Sequence, residues 1–165
     1  MDEIESQTCL RFVPRTSMHQ NYVVLVYGPK CWSRLGCVGG PQQLSLNENC
    51  LVKTVVMHEL LHAAGFIHEQ MRSDRDHYIK LLPENAEPDF MRNSFKMAPW
   101  QEVLLSPFDY DSVMLYGSMS ASKNNLPTMV AMDNSKIPGV EHKPGLSQYD
   151  VQGIWAAYGC RQGWK

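Results

Sequence analysis

No stretch of this sequence approaches the ~20 consecutive apolar residues that cross a bilayer, so no membrane-spanning segment is expected. Charge of one sign is not in excess: 15 Lys and Arg stand against 17 Asp and Glu, a formal net charge of -2. That balance gives no general attraction to nucleic acid or to anionic membrane surfaces. There is no internal repeat and no low-complexity tract, which removes stacked-repeat and disordered architectures. The opening MDEIESQTC is acidic and polar and lacks the apolar segment of a secretory leader. Close cysteine pairs are lacking too. Cys9, Cys31, Cys37, Cys50 and Cys160 are spread over the chain, with Cys31 and Cys37 the nearest neighbours, so no zinc ribbon is spelled out. The count fits two disulfides and one leftover thiol, which points to an oxidising compartment. It fits five buried reduced cysteines as well.

What is present suits one folded domain. The 165 residues are 44% apolar and 19% charged, enough for a hydrophobic core. Tyr22–Tyr27 is a continuous β-branched and aromatic run ended by Gly28-Pro29, and it reads as a strand buried on both faces. Gly36, Gly39, Gly40 and Pro41 mark a loop, and residues 42–46 a strand. Residues 51–64 carry a helical pattern, with Asn47 or Asn49 as cap and Gly65 as stop. Pro83, Pro88, Pro99 and Pro107 divide the irregular chain beyond, with a short helix expected over residues 84–95. Residues 119–144, rich in Asn, Ser and Pro, read as loop. Residues 147–158 read as a second helix, with Ser147 as N-cap, Asp150 three residues on, and Gly159 at its end.

The chemistry concentrates in HELLHAAGFIHE, residues 58–69. Four residues on a helix turn about 400°, so His58 and His62 leave the same face and can converge on one ion. Imidazole nitrogen suits zinc. Glu59 sits about a quarter turn round, close enough to act on a water at the metal without ligating it, where a general base belongs. A catalytic zinc site needs a third protein ligand. His68 supplies one only if the chain turns sharply, because an unbroken helix would carry it about 600° past His62, to the far face. Gly65 permits that turn, since positive φ costs glycine little. The apolar flanks, among them Val56, Met57, Leu60 and Leu61, make this helix a buried one. An unpartnered cluster of His and Glu would be costly there, and a metal removes the cost.

The pattern H-E-x-x-H-x-x-G-x-x-H is the metzincin signature. The residues that follow, from His68-Glu69 through Arg72-Ser73-Asp74-Arg75-Asp76, resemble the astacin family. Asp109-Tyr110-Asp111-Ser112-Val113-Met114-Leu115-Tyr116-Gly117 is similar to that family's Met-turn. CLRFVPRT at residues 9–16, the segment 31–40, NLPT at 125–128, and Leu146-Ser147 with Asp150 before Tyr158-Gly159-Cys160 resemble further family segments. They stand in the family's order and cover nearly the whole chain.

The resemblance implies an α+β, metzincin-like two-lobed fold. A mixed twisted sheet and the active-site helix would form an N-terminal lobe (about 1–68). A largely irregular C-terminal lobe with one C-terminal helix would follow (about 69–165), the two making a single peptidase domain. It implies one zinc ion per chain held by His58, His62 and His68, with Tyr116 as a further, switchable ligand that swings out to steady the oxyanion. Glu59 would be base and proton shuttle, Met114 a structural floor, and Gly65 the turn. Cys9 would pair with Cys160 and Cys31 with Cys50, leaving Cys37 free or cross-linked to another chain. The protein would be a secreted endopeptidase that binds its polypeptide substrate extended along an edge strand within residues 31–40. Leu115 departs from the family's usual His, with a local effect expected. The family's first strand and long helix, ahead of the segment that matches Cys9, are expected to be missing. By analogy the lost strand is internal, so two strand edges would be exposed. The family's mature N-terminus inserts beside Glu69, so Glu69 is expected to be buried and unpaired. The expected lack of that strand and helix supports the alternative of a truncated, zinc-binding but catalytically incompetent protein. The sequence does not assign Arg72, Arg75 or Lys80 to a specificity pocket, and the plainer reading of each is a solvated charge.

Overall fold

The computed structural model describes residues 1–161; residues 162–165, the end of the expected 1–165 domain, lie outside the described residues. The fold is mixed α+β. It opens with a short helix α1 (Asp2–Gln7), then strands β1 (Tyr22–Tyr27), β2 (Trp32–Ser33) and β3 (Pro41–Leu46) and the helix α2 (Lys53–Ala63). The second half carries β4 (Ile79–Leu81), α3 (Pro88–Arg92), β5 (Met129–Ala131) and α4 (Gln148–Tyr158), joined by single 3-10 turns and irregular chain.

The first sheet has the order β1-β3-β2, with β1 parallel and β2 antiparallel to β3. Strand β3 alternates over its first four residues as a half-buried strand should, with Pro41 and Gln43 exposed and Gln42 and Leu44 buried; Ser45, next along, is buried too. Leu44 enters a core cluster with Ile4, Met57, Leu60, Leu61, Val113, Met114 and Ile154. A second cluster, around Phe90, Phe108, Leu115 and Met129, fills the other half. The 112–115 segment lies between them, contributing Val113 and Met114 to one and Leu115 to the other.

Strand β1 corrects the sequence reading. Val23, Val24, Leu25 and Tyr27 are exposed rather than buried on both faces. The β-branched run dictates a strand but cannot dictate what covers it. Among the described residues, β1 pairs only with β3. Ahead of Cys9, where the sequence predicts no helix, α1 is docked on the body of the fold. Ile4 is fully buried, Glu3 Oε2 lies 2.7 Å from Lys53 Nζ, and Trp155 Nε1 donates to Gln7 O. Six residues with one apolar side chain carry no periodicity to read.

Helix α2 starts at Lys53, two residues later than expected. Asn47 caps the 3-10 turn Glu48–Cys50 instead, accepting from Asn49 N, and α2 has no side-chain cap. The expected 84–95 helix is split by Pro88 into a 3-10 turn, Pro83–Asn85, and α3. The loop reading of 119–144 misses β5, which pairs antiparallel with β4 as Ile79↔Ala131 through Leu81↔Met129. Helix α4 follows the reading closely. Ser147 accepts from Asp150 N, Asp150 accepts from Ser147 N, and Gly159 closes the helix in the left-handed region. Both cysteine pairs are bonded, Cys9 to Cys160 and Cys31 to Cys50, and Cys37 is free and exposed.

Candidate metal centre

Helix α2 presents His58 and His62 one turn apart. The helix then unwinds at Gly65, which adopts φ +97. Gly65 N and Phe66 N bond back to the carbonyls of His62 and Leu61, a glycine-ended helix stop. The reversal brings His68 back over the helix. The three Nε2 atoms then lie 2.9–3.3 Å from one another.

Each Nδ1 faces a backbone carbonyl: His58 with Val113 O at 2.7 Å, His62 with Phe66 O at 2.8 Å, His68 with Asn93 O at 3.2 Å. A carbonyl only accepts, so the proton sits on Nδ1 and the lone pair on Nε2 in all three rings. Three buried lone pairs facing one another have no donor to satisfy them. Burial pushes all three imidazoles away from the charged form, with neighbouring rings adding to it at His58 and His68; His58 is lowered to about 3. Tetrahedral zinc with Zn–N of ~2.0–2.1 Å separates its ligands by roughly 3.3 Å. The triad therefore fits a zinc ion.

Glu59 is buried and its Oε2 lacks a hydrogen-bond partner; burial raises its carboxyl to about 7. The ring of Tyr116 sits 4.5 Å from that of His68 and 6.2 Å from that of His58. Burial, with Glu59 nearby, pushes its phenol up to about 12. Met114 is buried in the first core cluster, and its carbonyl accepts from Glu69 N at 2.9 Å. The structure thus brings His58, His62, His68 and Tyr116 together.

Residues 1–159 of the chain match the family model described as Astacin, a peptidase family. The chain belongs to the astacin family. It is 38% identical over 162 residues to zinc metalloproteinase nas-15 of Caenorhabditis elegans, covering 97% of this chain and 28% of that protein. It is 36% identical over 163 residues to high choriolytic enzyme 1 of Oryzias latipes, covering 98% of this chain and 59% of that protein. The solved structure of that enzyme, described as a hatching enzyme zinc-protease, superposes with a TM-score of 0.86 at 35% identity, over 96% of this chain and 78% of that one. Myroilysin, at 18% identity and a TM-score of 0.64, shares the fold. The chain spans roughly a third of the length of the first curated relatives it matches. Astacins are zinc metalloproteinases, and the His58, His62 and His68 triad is where this astacin chain can hold the metal.

Two expectations change. Glu69 is buried but ion-paired: Arg72 Nη1 lies 3.2 Å from its Oε2, which accepts no hydrogen bond, and donates to its Oε1 at 3.4 Å. Burial still dominates and raises its carboxyl to about 8. Arg72 is accordingly no solvated charge. It is buried, spans Glu69 and Asp74, and donates to Ser106 O. Arg75 also points inward, to the carbonyls of Gln70 and Ser94. Glu69 lines a cavity of about 380 Å³ that also touches Ser112 and Asp150. Sequence reasoning overlooks Gln70, which is fully buried. Its Oε1 accepts from Tyr116 N, and its Nε2 donates to the Asn93 carbonyl that also holds His68. No pattern in the sequence marks it.

Proposed function

We propose that this chain is the peptidase domain of a secreted zinc endopeptidase, with lobes of about 1–68 and 69–165. The observation that carries the reading is the convergence of three Nε2 lone pairs beside the unpartnered carboxyl of Glu59. Zinc held there by His58, His62 and His68 would supply Lewis-acid polarisation of the scissile carbonyl and would lower the pKa of a bound water toward ~7. Glu59, whose carboxyl burial raises toward neutrality, takes the proton of the attacking water and delivers it to the leaving amine. Tyr116, beside the triad, would help His58, His62 and His68 hold the metal through its phenol oxygen and, with substrate bound, would turn to donate to the oxyanion. A phenol is protonated, and so able to donate, at neutral pH. The polypeptide substrate lies extended against β2, an edge strand of its sheet, through backbone hydrogen bonds. Secretion is supported by the two disulfides and by relatives named as a hatching enzyme and as toxins.

A second reading, a zinc-binding chain that cannot turn over, draws on β1, whose apolar residues are exposed. Incubation with an unfolded protein substrate, with and without a chelator, separates the two. Cleavage that stops with the chelator and returns with zinc supports the peptidase; a folded, zinc-loaded chain that never cleaves supports the second reading.

A further inference from the structure

Lys143 is a buried lysine outside the ligand set. It is 5% exposed, and its Nζ donates to the carbonyls of Ser112 and Leu115, the latter at 2.8 Å. Among the described residues, no carboxylate lies within ion-pair distance of it; Asp109, Asp111, Asp150 and Glu69 act on it only at longer range. A buried ammonium is costly unless its protons are used, and here two of the three are used on one tight turn.

That turn is closed by Leu115 N donating to Ser112 O at 3.0 Å. All four of its carbonyls are engaged. Ser112 O and Leu115 O take Lys143. Val113 O holds His58 Nδ1, and Met114 O takes the backbone N–H of Glu69, the residue after His68. Tyr116 follows directly. The two end carbonyls are thus fixed by a charged group, and the two middle ones orient metal-site histidines or their neighbours. Charge-assisted bonds are stronger than neutral ones, so the ammonium anchors the turn more firmly than its own closing bond does.

We propose that Lys143 is a positioning residue for the metal centre: by clamping both ends of the 112–115 turn, it sets the carbonyl that orients His58 and the origin of Tyr116. The inference rests on the zinc-peptidase reading above. Zinc affinity and the visible spectrum of the cobalt(II) form are read without turnover, so an inactive wild type would count against the peptidase reading alone.

The test compares wild type, K143M and K143R. Outer-shell partners of metal ligands typically carry 10–100-fold in affinity, so K143M is expected to bind zinc about tenfold or more weakly in chelator competition. Its cobalt bands should shift. Its kcat should fall with KM held within about twofold. K143R, which keeps charge and donors, should recover most of the loss. A folded K143M with wild-type zinc affinity and cobalt spectrum overturns the proposal. If K143M does not fold, K143Q is judged by the same readouts. If neither neutral variant folds in the presence of zinc, Lys143 serves the fold at large and the proposal fails.

Discussion

His58 Nδ1 lies 2.7 Å from the carbonyl oxygen of Val113. One contact thus joins the first metal-site histidine, on α2, to a turn 55 residues away. The turn is held from behind by Asp150, which accepts from Ser112 Oγ, Val113 N and Ser147 N at 2.5–3.0 Å.

Asp150→Ala leaves these donors without their acceptor in a buried site. Each unsatisfied buried group costs about 1–3 kcal/mol; water entering the space of the removed carboxylate relieves part of the three-donor sum, so a loss of roughly 2–4 kcal/mol is expected. Thermal unfolding should show a drop of about 5–15 °C at this chain length. A change under about 2 °C would mean that Lys143 and the closing bond of the turn hold it without Asp150.

Gly65→Ala tests the reversal that returns His68. A Cβ there would meet nothing nearer than Gly36 Cα at 3.9 Å, so space is not the obstacle; the positive φ of +97 is. The strain is worth about 1–3 kcal/mol. The chain can relieve it by moving His68, so zinc affinity should fall by at least about tenfold. Chelator competition on the folded variant gives the answer.

The burial of Glu69 has a pH signature in the metal-free chain. Its carboxyl is raised from 4.5 to about 8, by burial first and despite Arg72. Between those values the native state holds a proton that the unfolded state has lost, so this contribution to stability falls as pH rises. Glu69→Gln removes it. The stability of wild type relative to this variant should decline from pH 4.5 to pH 8 in chelator. A flat or rising difference would show that Arg72 keeps Glu69 ionised throughout.

The disulfides should differ in weight. Cys9–Cys160 closes 151 residues of separation and Cys31–Cys50 closes 19. Loop entropy assigns them about 5 and about 3 kcal/mol. Urea unfolding of the two double Cys→Ser variants should therefore find the first pair the more damaging.

How much of this is legible in the sequence follows from the range of each interaction. Two histidines four residues apart, a glycine and a third histidine are a local pattern, and the triad forms as the pattern demands. Ser147 with Asp150 spells out the cap of α4 for the same reason. The exposure of β1 is not legible, because a strand's neighbours lie elsewhere in the chain. Strand β5 escapes because three residues carry no periodicity. Arg72, Gln70 and Lys143 are ordinary polar residues in sequence. Only the fold brings Arg72 against Glu69, Gln70 beneath Tyr116 and Lys143 onto the 112–115 turn.

The most direct test of the central claim pairs zinc content with turnover in wild type and Glu59→Gln. The account predicts that both chains bind one zinc ion with similar affinity. Only wild type should cleave an unfolded protein at an appreciable rate, with the variant slower by about 10²–10⁴-fold. Equal cleavage by the two chains would contradict the role given to Glu59. A variant that had also lost its zinc would contradict the separation of base from ligands on which the reading rests.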